Sequence, residues 1–148
     1  MIRIELMPWE RARVEASEIR FRVFVEEQGV PRSIELDDLD AVCVHALAYC
    51  DNPETPDDRG IPIGTGRLLP DGHIGRMAVL KAWRGRGAGG AILQSLVAAA
   101  RARGDREVVL SAQAHAVPFY RKHGFAAEGD VYEEAGIPHQ AMRRVLRG

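Results

Sequence analysis

The residues with the clearest chemical potential lie in a glycine-rich, basic stretch at positions 84–90. This stretch follows an apolar segment that is predicted to be a strand, and it begins a predicted helix over residues 88–103. The first turn of a helix carries four backbone N–H groups without intrahelical partners and the positive end of the helix dipole. Glycines let that backbone approach a bulky anion, while Arg84 and Arg86 add positive charge. The stretch is therefore predicted to bind a phosphate or diphosphate group.

Two familiar phosphate-binding patterns fit this stretch poorly. The P-loop pattern ends in Lys-Ser or Lys-Thr, and neither dipeptide occurs in the chain. The dinucleotide pattern G-x-G-x-x-G is formally present at 85–90, but it should begin the first strand–turn–helix unit and be followed by a carboxylate about 20 residues later. Here it lies past the middle of the chain, and the next predicted strand ends in Ser111-Ala112-Gln113. A dinucleotide-dependent oxidoreductase is therefore disfavoured.

A third pattern, [QR]-x-x-G-x-[GA], is matched by residues 84–89 and resembles the acyl-CoA loop of the GCN5-related N-acetyltransferase (GNAT) superfamily. In that family the loop follows a strand whose backbone binds the pantetheine arm, the place taken here by residues 77–79. A later strand–helix unit ends in a tyrosine and a Gly-Phe pair, matched by Tyr120 and by residues 124–125. The family's asparagine seven residues before the tyrosine is Gln113 here, which keeps an amide on a longer side chain.

Other segments resemble a subgroup of that superfamily, the ElaA/YjcF-like proteins. Residues 20–28 look like the R-x-x-V-F-V-x-E-Q stretch of the subgroup, and residues 66–69 and 112–115 are also similar. The segment 132–139 completes the resemblance, although Ala135 stands where the subgroup has an acidic residue. These segments together span most of the chain.

The resemblance implies one GNAT domain over residues 1–148, an α/β fold with a mixed central sheet flanked by helices and a splayed strand pair that forms the acyl-CoA cleft. It implies an enzyme, an N-acetyltransferase that transfers acetyl from the co-substrate acetyl-CoA to a primary amine by direct attack in a ternary complex. The expected acceptor is a small-molecule or peptide amine. The alternative is an acyl-CoA-binding regulatory or interaction module with little catalysis, because no general base is readable in the sequence.

The resemblance also implies roles for individual residues. Tyr120 is the expected general acid, because a tyrosine of reference pKa about 10 is protonated at neutral pH and can donate to a thiolate whose thiol has a pKa of about 8.5. The general base is not readable, since the residues chemically able to act as one are Glu35, Asp37, His45, His115 and His139. Glu35 and His139 are kept as candidates for an acceptor-side role or for the base, and the subgroup carries a histidine at the position of His139. The expected cofactor-binding residues are Met77, Ala78, Val79, Arg84, Gly85, Arg86, Gly87, Ala88, Gly89 and Gln113.

Composition narrows the partners. A net charge of −1 gives no global attraction to nucleic acid or to a membrane surface, and no apolar run approaches the roughly 20 residues of a membrane span. The five histidines are scattered without ligand spacing, so no metal is expected. Two cysteines make no disulfide framework, and the first residues lack the core of a signal peptide, so we expect a cytoplasmic protein. A homodimer is expected by base rate alone.

Periodicity predicts the elements that position these residues. Strands are predicted at 2–6, 42–49, 61–69, 73–79, 108–112, 125–128 and 139–146, with residues 70–72 as a hairpin turn. Helices are predicted at 9–25, 88–103 and 117–123, the second with one apolar stripe. Residues 32–42 are predicted to form an acidic loop, and residues 51–60 a surface turn. The pattern predicts an antiparallel first half and a β–loop–helix–β crossover at the centre.

Overall fold

The computed structural model describes residues 1–35, 37–52, 54 and 60–146. Within these residues, seven strands form two antiparallel sheets, with the orders β1-β2-β3-β4 and β5-β7-β6. The strands are β1 (Ile2–Pro8), β2 (Val44–Cys50), β3 (Ile61–Leu68), β4 (Ile74–Val79), β5 (Glu107–Gln113), β6 (Ala126–Glu134) and β7 (Ile137–Val145). The α-helices are α1 (Trp9–Arg20), α2 (Arg32–Glu35), α3 (Ala88–Ala102) and α4 (Val117–Lys122). None of the helices in these ranges combines the length and apolarity that a membrane span requires.

The predicted helix at 9–25 is divided in two. α1 ends at Arg20, and a π-helix follows over Phe21–Glu27, in which the amide of Gln28 donates to the carbonyl of Val23 at 3.0 Å. The apolar residues that crowd the end of the predicted helix fall in this wider turn. A π-helix is rare, and it often marks a functional site.

The acidic loop predicted at 32–42 is also partly helical. It contains α2 and a 3₁₀ turn at Asp40–Val42. The turn predicted at 51–60 lies largely at positions 53 and 55–59, outside the described residues.

The predicted hairpin at 61–79 is confirmed, since β3 and β4 pair in antiparallel register. The last hairpin is longer than predicted: β6 continues to Glu134, and β7 begins at Ile137 rather than at residue 139. The reason is the two-residue connection Ala135-Gly136, whose φ angles of 53° and 75° form the tight left-handed turn that joins twisted strands.

The predicted apolar stripe of α3 is confirmed. Ile92, Leu93, Leu96, Val97 and Ala100 are all buried in the main core, together with Val108 and Leu110 of β5. α3 therefore packs against both sheets and holds the end of β4 and the start of β5 in a fixed relation. A second, smaller core lies between α1 and the sheet of β1–β4 and includes Ala12, Ile19, Leu47 and Tyr49.

Among the described residues, one backbone pairing joins the two sheets, between β5 and the two residues just before β4. The amide of Val109 donates to the carbonyl of Gly72 at 3.0 Å, beside an isolated parallel bridge between His73 and Val109. Among the described residues no other pairing joins the two strands, so they diverge from that contact toward Val79 and Gln113. This gap is called the cleft below.

A buried network of opposite charges ties Glu35, Asp37 and Asp40 to α1 and to the sheet. Arg20 is 1% exposed, contacts the carboxylate of Glu35, and donates to Asp40 at 2.8 Å. Arg67 of β3 donates to both carboxylate oxygens of Asp37, at 2.9 and 2.8 Å, and to Asp40 at 2.9 Å. Removing one member of such a network leaves a buried charge without compensation, which costs far more than an exposed ion pair contributes.

The network predicts an acid-dependent stability. The hydrogen bond from Arg67 lowers the pKa of Asp37 to about 2 from 3.8, so Asp37 stabilises the fold when ionised. That contribution is present above about pH 4 and is lost as the pH falls toward about 2. We expect Asp37→Asn to lower the free energy of unfolding by about 2 kcal/mol at pH 7, and by progressively less at pH 4 and pH 3. Urea unfolding at each pH measures this difference, and a deficit independent of pH would contradict it.

Candidate active site

The glycine-rich loop lies directly between β4 and α3. Gly85 and Gly87 have φ angles of 80° and 88°, a left-handed conformation that side chains rarely adopt, and Gly87 is the N-cap of α3. No side chain caps this helix, and a Cβ built at either glycine would meet no described atom within 4 Å. The first amides of α3 are thus uncapped at an open surface, as an anion site requires.

β4 contains a bulge just before the residues predicted to bind the pantetheine arm. Thr65 pairs with Ala78 and Arg67 with Gly75, so two residues of β4, Arg76 and Met77, lie opposite one residue of β3. Arg76 has φ 49°, and its guanidinium donates to the backbone carbonyl of Glu35 at 3.1 Å and to Asp37 at 3.0 Å. A bulge bends the strand that carries it, so the network helps to set the direction of residues 77–79.

The backbone of Val79 points into the cleft. Leu80 donates its amide to Ile63 of β3 at 2.9 Å, and successive amides of a strand point to opposite edges, so the amide of Val79 points away from β3. β4 and β5 are each the edge strand of a sheet, and these two edges face each other across the cleft. Unpaired strand edges bind other extended polar chains readily.

Arg84 and Arg86, both predicted to contact phosphate, have different surroundings. The Nε of Arg84 donates to the carbonyl of Val79 at 2.9 Å, and its two Nη atoms pair with the carboxylate of Glu27 at 2.6 and 2.7 Å. Arg86 is exposed, and its guanidinium lies 4.8 Å from the ring centre of Trp83. The predicted phosphate contacts of both residues stay predictions, and Arg84 has a carboxylate partner that sequence reasoning missed.

Gln113 lies at the end of β5, on the far side of the cleft from Val79. Its side-chain amide donates to Oε1 of Gln28 at 2.8 Å, and the amide of Gln28 donates back to Oε1 of Gln113 at 3.3 Å. Nε2 of His115 lies 2.8 Å from the same Gln113 oxygen. The pair connects the end of the π-helix to β5 across 85 residues of sequence, so periodicity gave no signal of it.

Tyr120 is 8% exposed and lies in the main core. Its ring makes edge contacts with Phe119 and Phe125, with ring centres 5.1 and 5.9 Å away. Burial raises the pKa of Tyr120 to about 12, so its hydroxyl is protonated at neutral pH, as an acid must be. Whether the hydroxyl donates during a reaction stays a prediction.

The two candidates for the base are in different environments. His139 is 7% exposed and pairs with Gln113 in the β5–β7 ladder. Its Nδ1 donates to the carbonyl of Ile137 at 2.7 Å, which in a neutral imidazole leaves the lone pair on Nε2. Glu35 is instead a buried counter-ion of Arg20, an arrangement that favours a structural role.

A cysteine nucleophile is disfavoured. Cys43 and Cys50 are both free thiols. Burial raises the pKa of Cys43 to about 11, so its thiolate is scarce at neutral pH. In the described ranges, no group of three or more histidine, cysteine, aspartate or glutamate side chains is arranged to hold a metal ion.

Comparison with known proteins identifies similar folds and sequences. Residues 56–146 match the acetyltransferase (GNAT) domain family. An uncharacterized N-acetyltransferase of Bacillus subtilis, YjcF, is 38% identical over 85% of this chain and 87% of its own length, and ElaA of Escherichia coli is 37% identical over 86% and 83%. An acyl-CoA N-acyltransferase from Pseudomonas aeruginosa has 30% identity and a TM-score of 0.81, covering 98% of this chain and all of its own. The crystal structure of ElaA has a TM-score of 0.80 at 29% identity, covering 97% and 99%.

The loop geometry predicts how a glycine substitution affects an anion ligand. Gly87→Val places a branched side chain at φ 88° beside the uncapped amides, so we expect coenzyme A to bind roughly tenfold or more weakly, because a charge-assisted hydrogen bond is lost. Gly104→Val is the control, because Gly104 has φ 92° just past the other end of α3. Both variants should lose about 1–3 kcal/mol of stability. Isothermal titration should find weaker binding only for Gly87→Val, and equal losses in the two variants would contradict an anion site at this loop.

Proposed function

Because the chain belongs to the GNAT family of N-acyltransferases, we propose that it transfers an acetyl group from acetyl-CoA to a primary amine by direct attack in a ternary complex. The observation that carries this proposal is the pair of facing strand edges beside an uncapped helix N-terminus. The strand edges accommodate an extended polar arm, and the adjoining helix N-terminus accommodates a diphosphate. In coenzyme A, a pantetheine arm is covalently linked to a diphosphate.

Different residues would bind the diphosphate and the pantetheine arm of acetyl-CoA. The amides of Gly85–Gly89 and the exposed guanidinium of Arg86 would bind the diphosphate. The backbone of Met77, Ala78 and Val79 would pair with the amides of the pantetheine arm, with Gln113 on the opposite wall. Acetyl-CoA supplies the thioester carbon that the amine attacks. The fit is supported by the open space beside Gly85 and Gly87.

Acyl transfer needs a polarised carbonyl, a neutral amine and a protonated leaving group. The amide of Val79 would donate to the thioester oxygen, where negative charge develops in the transition state. Tyr120 would donate its proton to the departing thiolate, because its pKa of about 12 keeps it protonated until that step. Nε2 of His139 would accept the proton of the amine, directly or through a water molecule, because its lone pair is fixed by the Nδ1 contact.

A thiol-release assay tests the function. The chain is incubated with acetyl-CoA and a panel of amines and peptides, and free thiol is followed while binding is measured by titration. We expect binding of acetyl-CoA and release of thiol that depends on the amine. Binding without thiol release on any acceptor would favour a regulatory or interaction module, and no binding of any coenzyme A species would remove the proposal. Homodimerisation and a cytoplasmic location stay predictions.

The role of Tyr120 predicts a specific kinetic defect. Tyr120→Phe keeps the buried ring and removes only the hydroxyl, so we expect kcat to fall by roughly 10²–10⁴ with little change in the KM for acetyl-CoA. The pH profile of the wild-type chain should show no loss from tyrosine ionisation below about pH 10, given the raised pKa of Tyr120.

Tyr49→Phe is the matched control. Tyr49 is fully buried in the second core, on β2, which β3 separates from β4, and it donates its hydroxyl to Glu15 at 2.7 Å. This variant should lose stability and keep kcat. Steady-state kinetics on both variants measures the contrast, and an unchanged kcat in Tyr120→Phe would dismiss Tyr120 as the acid.

A further inference from the structure

The last residue of the π-helix and the residue after it bind two of the polar side chains that are expected to contact the cofactor, Arg84 and Gln113. Glu27 pairs with Arg84, beside the end of β4, at 2.6 and 2.7 Å. Gln28 pairs with Gln113, at the end of β5, at 2.8 and 3.3 Å. We propose that Glu27 and Gln28 form a strap across the cleft that acyl-CoA displaces when it binds, and that they act as positioning residues which set its affinity. This inference rests on the proposed function.

The backbone that carries the strap is held in place, so displacement involves side chains. The π-helix follows α1 directly, and Arg20 at the end of α1 is fixed by Asp40 at 2.8 Å and by Glu35. Beyond the strap, the amide of Val30 donates to the carbonyl of Phe24 at 2.8 Å and ends the helical turn.

The carboxylate of Glu27 occupies the hydrogen-bond donors of Arg84 that a phosphate would use. A guanidinium binds carboxylates and phosphates through the same two-pronged geometry, so one edge of Arg84 holds only one of them at a time. The Nε bond from Arg84 to Val79 keeps that edge at the mouth of the cleft, next to the loop of Gly85 and Gly87. The pair is partly exposed, with 40% of the Arg84 side chain and 36% of the Glu27 side chain accessible, and such pairs exchange partners at small cost.

Glu27 is a charged competitor under all conditions in which the enzyme would work. The hydrogen bond from Arg84 lowers the pKa of Glu27, and the charge of Lys81 acts in the same direction. A diphosphate carries more negative charge than a carboxylate, so it displaces Glu27 from Arg84 while the loop amides bind its remaining oxygens.

Gln28 imitates the pantetheine arm on the other wall. The amides of Gln28 and Gln113 each donate to the oxygen of the other, and a secondary, trans amide of pantetheine would take the place of one of these two bonds to Gln113. His115 also contacts the Gln113 oxygen at 2.8 Å and keeps the orientation of that amide when Gln28 leaves. The strap thus matches the ligand at two points along its length, once with a charge and once with an amide.

Isothermal titration of point variants with coenzyme A and with pantetheine, which lacks the diphosphate, tests the strap. Glu27→Gln removes the charged competitor, so we expect coenzyme A to bind about 2- to 5-fold more tightly and pantetheine to bind unchanged. Gln28→Ala frees Gln113, so both ligands should bind about 2- to 10-fold more tightly. Glu26→Gln is the control, because Glu26 is the exposed neighbour and the change in net charge is the same. In an Arg84→Gln background, Glu27→Gln should have no further effect.

Whether Glu27→Gln raises or lowers the affinity for coenzyme A distinguishes a displaceable strap from a residue that only supports Arg84. If Glu27 only orients Arg84, Glu27→Gln weakens coenzyme A binding at unchanged melting temperature, and the proposal is overturned. Equal affinities of wild type and Glu27→Gln also overturn it, while leaving the proposed function intact. A wild-type chain that binds no coenzyme A overturns both.

Discussion

β5 is joined to the residues just before β4 by a backbone hydrogen bond from Val109 to Gly72, and the two strands then separate. Each is the outermost strand of its sheet, so the separation leaves two rows of backbone donors and acceptors facing each other. Backbone groups away from water require partners, and leaving one unpaired costs about as much as a lost hydrogen bond. A ligand with spaced amides satisfies that requirement. The packing of α3 against both sheets holds the strands apart, and the loop before α3 places an anion site beside the gap.

Charged and polar contacts with residues in the N-terminal third of the chain help to hold β4 in its bent conformation. Arg76 has a left-handed conformation that costs of order 1–3 kcal/mol in a residue with a side chain. Its guanidinium donates to the carbonyl of Glu35 and to the carboxylate of Asp37, and hydrogen bonds to charged groups contribute about 1.5–3 kcal/mol each, enough to offset the strain. Glu35 and Asp37 therefore help to fix the bulge in the strand that would bind the acyl donor.

Local sequence signals were sufficient for the parts of the site that depend on local structure. The glycines at 85 and 87, the stripe of α3 and the β3–β4 hairpin follow from short-range conformational and periodic preferences, and the structure has all three. The π-helix was not predictable, because apolar residues at 21–25 suit an α-helix equally well. The pairs Glu27–Arg84 and Gln28–Gln113 join residues 57 and 85 positions apart, and no periodicity encodes such contacts. Glu35 was a candidate base by chemistry alone, and its burial against Arg20, which no sequence pattern shows, favours a structural role.

A crystal structure of the chain with coenzyme A bound is the most direct test that the diverging edges of β4 and β5 bind the acyl-CoA arm. We expect diphosphate oxygens within about 3 Å of backbone nitrogens at residues 85–89, and pantetheine amides paired with the backbone of residues 77–79. A nucleotide bound elsewhere, or a β4–β5 ladder that continues unbroken to Gln113, would contradict this account of the site.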